Sequence, residues 1–386
     1  MLVRAERALV DGALVGPVLL EVDGGRIRAV VVDPERVATA TPDVDLAGGT
    51  LTPGLLDLQV NGSFGADFAD ATPQEWAAAL DGLASRGITG IEPTIITAPI
   101  ADLHGAFDRT LAARRRHEQD TVTRILGAHL EGPFLSPERK GAHRADWMLD
   151  PSREHLDALL ANPATREVLL TVTLAPELPG ALAAIERLAG DGVVVSVGHS
   201  DATAAQVHAA ADAGATMVTH LFNAQRPLNH REPGVVGAAL ADERLFVGTI
   251  ADAQHVDASV VGIVAGAARG RMVAVTDAIV TAGLPNHTWL TFGGDEVAND
   301  ATGLGRRRDG TIAGAGIVLD EGVRRLVAAG LDPAVVLTAC TEVPARSIRR
   351  DDVGRLAVGT LADLVWWDAA WHPERVWIGG VERDTA

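Results

Sequence analysis

From about residue 52 to residue 350, short apolar runs alternate with Ala-rich segments of helical length. The runs are rich in β-branched residues, so each predicts a buried strand. The intervening segments, such as TPQEWAAALDGLASRG, combine a Thr or Ser at an N-cap position with helical periodicity and a closing Gly. The predicted strands are 55–60, 90–96, 125–130, 168–174, 193–197, 215–219, 245–250 and 272–276. Eight strands alternating with helices predict an α/β fold, a (β/α)8 TIM barrel over residues 52–350.

The two ends of the chain lack the alternating strand and helix pattern and consist of short β-rich runs separated by turns. The stretch PVLLEVDGGRIRAVVVD places two such runs around Asp-Gly-Gly, which predicts a β-hairpin. The closing stretch GRLAVGTLADLVWWD returns to short β runs. We therefore expect residues 1–51 and 351–386 to form one small β-sandwich. The polar, Gly-rich segment 287–313 predicts a hairpin or a lid, and nothing in it points to catalysis.

Composition narrows the class of protein. Hydrophobic residues make up 47% and charged residues 22% of 386, typical of a soluble globular chain. The net charge of −18 argues against nucleic acid and anionic membranes as partners. No apolar run approaches the roughly 20 residues of a spanning helix, and the N-terminus does not resemble a signal peptide. We expect a cytoplasmic enzyme in which the single cysteine, Cys340, is a buried structural thiol.

Titratable residues follow five of the eight predicted strands, and barrel active sites form where strands end. They are His129 and Glu131 after the third strand, His199 after the fifth, His220 after the sixth, His255 after the seventh and Asp277 after the eighth. Singly, each has an ordinary explanation: a hydrogen-bonded histidine, a turn glutamate or a helix-capping aspartate. Together, one Glu and two His converging on one point suit a catalytic Zn²⁺ with an open position for water.

The first predicted strand ends in LLDLQVNG, where many barrel hydrolases place the metal-binding pair His-x-His. Gln59 and Asn61 hold those two positions here. Amides are weak ligands for a borderline metal compared with imidazole, so we expect one tightly held metal rather than two. The two amides can instead bind a water or the substrate, or satisfy the backbone of the turn.

Several longer motifs resemble the amidohydrolase superfamily, and within it the deacetylases of acetamido-sugar phosphates. The resemblance covers the whole chain and depends on the combination of its motifs: PGLLDLQVNG, GAHLEGPFLSPERKGAH, VSVGHSDAT, THLFNA, REPGVVG, IADAQHVD and VAVTDAI. It implies a metal held by Glu131, His199 and His220, with Asp277 as catalytic acid and base. The expected metal is Zn²⁺, one ion per subunit, with Fe²⁺, Mn²⁺ and Co²⁺ left open.

The same resemblance implies how substrate is held. It puts His143 on the side of the substrate carbonyl. The residues implied to hold the sugar phosphate and its hydroxyls are Asn223, Ala224, Arg231 and His255. The expected reaction is hydrolysis of the acetamide of N-acetylglucosamine 6-phosphate, in amino-sugar catabolism, by a homodimer in which Arg231 can act across the subunit interface. The alternative for Arg231 is a surface salt bridge with Glu232 or a nearby acid.

Three alternatives stay open at this point. The substrate could be the galactosamine epimer, because the stretch QRPLNH departs from the expected pattern and adds Arg226 and His230. Arg226 is either a solvated loop residue or a contact to phosphate. A cyclic-amide hydrolase usually keeps His-x-His and often a bridging Lys, whereas the one lysine near the motifs, Lys140, falls in a loop. A non-catalytic relative is the third alternative.

Overall fold

The computed structural model describes residues 1–383, and its N-terminal part consists almost entirely of strands. The elements in order are β1 (Leu2–Ala5), β2 (Ala8–Val10), β3 (Ala13–Val15), β4 (Val18–Asp23), β5 (Arg26–Val31), α1 (Pro34–Thr39), β6 (Val44–Leu46) and β7 (Thr50–Pro53). Strands β4 and β5 pair antiparallel around Asp-Gly-Gly, which confirms the predicted hairpin. Four of these strands form a sheet in the order β5-β4-β1-β6.

Strands and helices then alternate around a barrel. Its elements are β8 (Leu55–Val60), β9 (Gly62–Ser63), β10 (Ala66–Asp67), α2 (Pro73–Ser85), β11 (Ile88–Ile96), α3 (Ile100–Arg116), β12 (Arg124–Ile125), β13 (Ala128–Glu131), α4 (Arg153–Leu159), α5 (Pro163–Val168), β14 (Leu169–Leu174), α6 (Ala181–Gly190), β15 (Val194–Val197), α7 (Ala204–Asp212), β16 (Met217–Val218), α8 (Gly234–Ala241), β17 (Phe246–Ile250), α9 (Ala258–Ala267) and β18 (Met272–Val275). Two single 3₁₀ turns, Pro137–Arg139 and Ala145–Trp147, interrupt the loop after β13. The strands run parallel in the order β8-β11-β13-β14-β15-β16-β17-β18, confirming the predicted barrel.

Local sequence explains how the first barrel helix begins. Thr72 and Glu75 form a capping box, in which each side chain accepts a hydrogen bond from the other residue's backbone N–H. Pro73 occupies the first turn, where no intrahelical donor is needed. The apolar face of α2 buries Trp76 and Leu80 against the barrel wall.

The barrel closes between its first and last strands through side chains as well as backbone. The buried carboxylate of Asp57 in β8 accepts hydrogen bonds from the Thr276 backbone N–H (3.2 Å) and hydroxyl (2.5 Å), just beyond β18. The Asp277 N–H donates to the Gln59 carbonyl at 2.8 Å, and the Asn61 N–H donates to the Ala278 carbonyl at 2.7 Å. Burial raises the pKa of Asp57 to about 7. This seam fixes the end of the first strand beside the end of the eighth.

After the barrel strands, an antiparallel sheet precedes three helices and the C-terminal strands. These elements are β19 (Leu290–Phe292), β20 (Asp295–Asn299), β21 (Leu304–Arg307), β22 (Ile312–Ala315), α10 (Leu319–Ala328), α11 (Pro333–Cys340), α12 (Glu342–Ser347), β23 (Leu364–Trp367), β24 (Pro373–Ile378) and β25 (Val381–Arg383). Over residues 287–313, where the sequence predicts a hairpin or a lid, the strands β19 to β22 form an antiparallel sheet that we call the cover sheet.

Strands from both chain ends share one sheet, in the order β25-β24-β23-β7-β2-β3. It packs with the β5-β4-β1-β6 sheet around Leu20, Ile27, Leu51 and Trp377. The division of the chain into a sandwich over residues 1–51 and 351–386 and a barrel over residues 52–350 stays a prediction. Cys340 is fully buried, as expected, and burial raises the pKa of its thiol. None of the helices within residues 1–383 is both long enough and apolar enough to cross a membrane.

Candidate active site

Three predicted metal ligands meet at the mouth of the barrel. Glu131 ends β13, and His199 and His220 follow β15 and β16. Glu131 Oε1 lies 2.9 Å from His220 Nε2 and 3.3 Å from His199 Nε2, and the two Nε2 atoms are 3.1 Å apart. All three side chains are buried. Side chains from three separate strands therefore present one carboxylate oxygen and two imidazole nitrogens to one point.

The hydrogen bonding of His199 shows that this set fits a metal ion. Its Nδ1 lies 2.9 Å from the backbone carbonyl of Arg139, which can only accept. A neutral His199 therefore carries its proton on Nδ1, and the Nε2 lone pair faces Glu131 and His220. Three atoms are then in contact: the His199 Nε2 lone pair, the His220 Nε2 and the Glu131 Oε1. They carry too few protons for each pair to be joined by a hydrogen bond. A divalent cation suits this donor set.

Gln59 supports the glutamate instead of facing the substrate. Its Nε2 donates to Glu131 Oε1 at 3.0 Å, and its Oε1 accepts from the Thr219 hydroxyl at 2.6 Å. Both ends of the amide are thus occupied, and the residue is buried and absent from the cavity wall. Since both hydrogen bonds of the amide are made within the protein, a contact of Gln59 to water or substrate stays a prediction. The Gln59 side chain at the end of β8 extends across to β13, where its amide orients the predicted metal ligand Glu131.

We expect removal of this amide to weaken metal binding without removing a ligand. Gln59→Leu keeps most of the side-chain volume but leaves Glu131 and Thr219 without their partner. Supporting hydrogen bonds of this kind change metal affinity by about 10- to 100-fold. Competition with a chelator of known affinity measures the change, and Gln74→Leu on the exposed start of α2 is the matched control. Equal affinities in the two variants would mean that Gln59 does not position Glu131.

Asn61 orients Asp277 through a hydrogen bond, as Gln59 orients Glu131. The Asn61 Nδ2 donates to Asp277 Oδ1 at 2.9 Å and to the Ala278 carbonyl at 3.2 Å. Unlike Gln59, Asn61 also borders the catalytic cavity, so a contact to substrate stays a prediction. Burial, followed by the nearby charge of Glu131, raises the pKa of Asp277 to about 6. A carboxylate with such a pKa can both accept and return a proton near neutrality.

The backbone is strained where these groups converge. Five non-glycine residues around the site have a positive φ, a region that side chains rarely adopt: His199 (47°), His220 (24°), Phe222 (76°), Ala224 (49°) and Asp277 (52°). Such conformations cost on the order of 1–3 kcal/mol each and cluster at functional sites. Of these five residues, His199, His220, Ala224 and Asp277 border the cavity at the mouth of the barrel.

His143 lies against the glutamate from the loop after β13. Its Nε2 is 3.7 Å from Glu131 Oε2, and its Nδ1 is 2.8 Å from the Thr97 hydroxyl oxygen. Burial lowers the pKa of His143 to about 4, so the ring is neutral at neutral pH. The Thr97 hydroxyl donates to the Glu131 carbonyl at 3.2 Å, so its oxygen can accept from the ring at Nδ1. In this arrangement a neutral His143 carries its proton on Nδ1 and leaves Nε2 as an acceptor.

A cavity of about 190 Å³ opens above these groups. Of the predicted substrate residues, Asn223, Ala224 and His255 border it, but Arg231 does not. The His255 Nδ1 is 2.6 Å from Asp252 Oδ2, a buried pair that fixes the orientation of the ring. Arg231 is exposed, and within residues 1–383 its side chain forms neither the surface salt bridge considered above nor any other. The cavity of one chain therefore lacks the predicted phosphate ligand.

The other predicted polar residues near the site have structural partners. His129 Nε2 is 2.7 Å from the Thr173 hydroxyl inside the barrel wall, so the ordinary explanation holds for it. Arg226 forms an ion pair with Asp201 at 2.7 Å, and is therefore neither freely solvated nor in the cavity. Lys140 lies outside the site, with its amine 3.5 Å from the Gly141 carbonyl. No lysine thus bridges two metals in the described chain.

Sequence reasoning missed three residues that touch the site. Thr97 and Thr219 hold His143 and Gln59, and Arg307 of the cover sheet borders the cavity. The threonines do stand at strand ends, a signal that was available. Arg307 gave no such signal, because the sequence does not show that the segment folds back over the barrel.

Comparison with a family model matches the amidohydrolase family over residues 50–383. The chain belongs to the amidohydrolase family. Members of this family are metal-dependent, in keeping with the clustered Glu131, His199 and His220.

Relatives of this amidohydrolase carry two substrate names. It is 35% identical to the N-acetylgalactosamine-6-phosphate deacetylase of Escherichia coli O157:H7, over 98% of this chain and 97% of that one. It is 34% identical to the N-acetylglucosamine-6-phosphate deacetylase of Vibrio furnissii, over 98% and 93%. The crystal structure of N-acetyl-D-glucosamine-6-phosphate deacetylase from Mycobacterium smegmatis matches with a TM-score of 0.91 at 33% identity, covering 100% of both chains.

Proposed function

We propose that this amidohydrolase removes the acetyl group from N-acetylglucosamine 6-phosphate, yielding glucosamine 6-phosphate and acetate. The observation that carries the proposal is the convergence of Glu131, His199 and His220, with Asp277 on the wall of the same cavity. Relatives with this activity cover nearly the whole chain at about a third identity, which supports the choice of substrate. A non-catalytic role would not require an acid with a raised pKa beside a complete ligand set.

Glu131, His199 and His220 would hold one divalent cation, for which we propose Zn²⁺. When bound, such an ion lowers the pKa of water and polarises an amide carbonyl. Asp277 accepts a proton from the attacking water at its carboxylate and later returns that proton to the amine nitrogen. The return is needed because an amide nitrogen leaves poorly unless it is protonated. Asn61 keeps the carboxylate aligned through both steps.

His143 and the residues across the cavity would bind the substrate. We propose that the Thr97 hydroxyl turns to donate to His143 Nδ1 when substrate binds, so that Nε2 carries the proton and donates a hydrogen bond to the acetyl oxygen as that oxygen gains negative charge. Asn223, Ala224 and His255 border the cavity, where they can hold the sugar and its phosphate. The ring of His255 is fixed by Asp252 at Nδ1, and the other nitrogen of the neutral ring can accept a hydrogen bond from a sugar hydroxyl.

A galactosamine substrate is the second candidate, favoured by the name of the Escherichia coli relative. The two sugars differ only in the orientation of one hydroxyl group. Acetate release from both 6-phosphates, measured side by side on the same sample, tests the proposal. We expect the larger kcat/KM with N-acetylglucosamine 6-phosphate. Turnover of the galactosamine epimer alone would establish the second candidate, and no acetate from either would refute both.

We propose that the protein is a cytoplasmic homodimer. Because Arg231 is exposed in one chain, we propose that it reaches the cavity of the second copy. A bidentate guanidinium–phosphate contact is strong because both partners are charged. Arg231 lies on the loop 227–232, all of which is exposed in one chain. Its guanidinium is therefore available to a neighbouring subunit.

Arg231→Ala is expected to raise KM for the phosphorylated substrate by about 10- to 100-fold, the equivalent of one charge-assisted contact. The value of kcat should change little, because the phosphate is remote from the bond that breaks. Steady-state kinetics with N-acetylglucosamine 6-phosphate and with N-acetylglucosamine measure the effect. Arg153→Ala, which removes an arginine side chain that is 92% exposed, is the control. An equal loss with both sugars would show that Arg231 does not recognise the phosphate.

A further inference from the structure

The cover sheet forms one wall of the catalytic cavity. Phe292, Ile312 and Gly314 border the cavity from this sheet, and so does Arg307. The facing wall includes Gly141, Ala142 and His143, which belong to a segment we call the His143 loop, residues 136–144. Access to the catalytic groups therefore depends on how the cover sheet and the His143 loop lie against each other.

Arg307 joins these two walls. Its Nη2 donates a hydrogen bond to the backbone carbonyl of Ala142 at 2.9 Å. The same nitrogen is 3.0 Å from Asp295 Oδ2, on the adjacent strand of the cover sheet. Ala142 immediately precedes His143, so the bond acts on the peptide that carries the imidazole. Asp295 holds the guanidinium in place, which reduces the freedom lost when it binds the carbonyl.

The two neighbouring arginines have no such contact with the loop. Arg306 Nε donates to Asp300 Oδ2 at 2.6 Å, and Arg308 Nε donates to Glu296 Oε2 at 2.6 Å. Arg308 also stacks over the ring of Trp289 at 4.2 Å and is 60% exposed. Successive residues of a strand point to opposite faces, so only the middle arginine of the three turns toward the cavity.

We propose that Arg307 is a positioning residue for the deacetylation, fastening the cover sheet onto the His143 loop. The inference rests on the proposed function, because the position of His143 affects turnover only if His143 takes part in deacetylation. The His143 side chain contacts Thr97, Glu131 and the ring of His199, but its backbone lies in an irregular loop. The bond to Ala142 is a charge-assisted restraint on that backbone.

Arg307→Gln, compared with Arg308→Gln, tests the inference. A loop displacement of about 1 Å can lower turnover by up to about 100-fold, so we expect kcat to fall at least tenfold. We expect the same fall with N-acetylglucosamine 6-phosphate and with N-acetylglucosamine, and little change in KM. Amide hydrogen exchange should become faster in residues 136–144 and 290–315, with metal content and melting temperature unchanged. Arg307→Lys should recover part of kcat, and Arg308→Gln should match wild type.

Two results would overturn the inference. The first is an Arg307→Gln variant with wild-type kcat and unchanged exchange in both segments. The second is a loss confined to KM for the phosphorylated sugar, which would make Arg307 a charge-recognition residue instead. Failure of the wild-type protein to release acetate from either sugar would refute the proposed function, and with it the role of Arg307 in deacetylation. In that case the exchange measurement alone would decide whether Arg307 fastens the two walls.

Discussion

Asp277→Asn should retain its metal and lose about 10³-fold in kcat. Positioned acid–base groups typically contribute 10²- to 10⁴-fold, and Asp277 is proposed to act twice in one turnover. The substituted amide has almost the same shape, and its oxygen can still accept from Asn61. It cannot accept a proton from water near neutral pH. The loss should therefore appear in kcat, with the fold and the ligand set intact.

Two measurements on one sample decide this prediction. Elemental analysis gives the metal bound per chain, and acetate release gives kcat. Asp102→Asn, on the exposed start of α3, is the matched control and should behave as wild type. Turnover within a few-fold of wild type in Asp277→Asn would reject the acid–base assignment. Loss of the metal as well would leave the role of Asp277 inseparable from metal binding.

His220→Ala should abolish metal binding and activity together. The substitution removes one of three ligand atoms and leaves Glu131 Oε1 and His199 Nε2 without their shared neighbour. Two ligands cannot hold a catalytic ion against solvent as three do. We expect close to zero metal per chain by elemental analysis and no detectable acetate. His199→Ala should give the same result, because both imidazoles face the same point.

A surface histidine separates this effect from a general effect of losing an imidazole. His208 is 46% exposed and pairs with Asp242 on the outside of the barrel, so His208→Ala should keep metal and activity. Circular dichroism of all three variants checks that they fold. Wild-type metal content in His220→Ala would contradict the ligand set. Metal loss with retained activity would separate the cation from the chemistry.

The sequence allowed prediction of the barrel and of where its chemistry lies, because both depend on local patterns. Apolar β-branched runs predicted the eight strands, although the third is broken into β12 and β13 and the sixth has only two residues. A barrel brings the ends of its strands to one face, so Glu131, His199 and His220 could be placed together without knowing any distance.

The roles of the two amides could not be predicted in the same way. Whether the Gln59 side chain contacts substrate or Glu131 depends on the distance between two barrel strands, and the two residues are 72 positions apart in the sequence. The seam made by Asp57 sets that geometry, and nothing in the local pattern around LLDLQVNG reveals it. The positive φ of His199, His220 and Asp277 was equally hidden, since these residue types give no sign of a left-handed backbone.

Contacts between distant segments also explain the missed arginine. The composition of residues 287–313 predicts a hairpin or a lid, but it does not show that Arg307 of this segment contacts Ala142, 165 positions away. Conversely, the motif that suggested Arg231 as a phosphate ligand does not show that the residue lies outside its own cavity.

Titration of the metal-free protein tests the central claim most directly. The protein is stripped with a chelator, and acetate release from N-acetylglucosamine 6-phosphate is followed as Zn²⁺ is added back in measured equivalents. If Glu131, His199 and His220 form the single catalytic metal site, activity vanishes on stripping and rises linearly to a plateau at one equivalent per chain. Full activity in metal-free protein, or a plateau only at two equivalents, would contradict it.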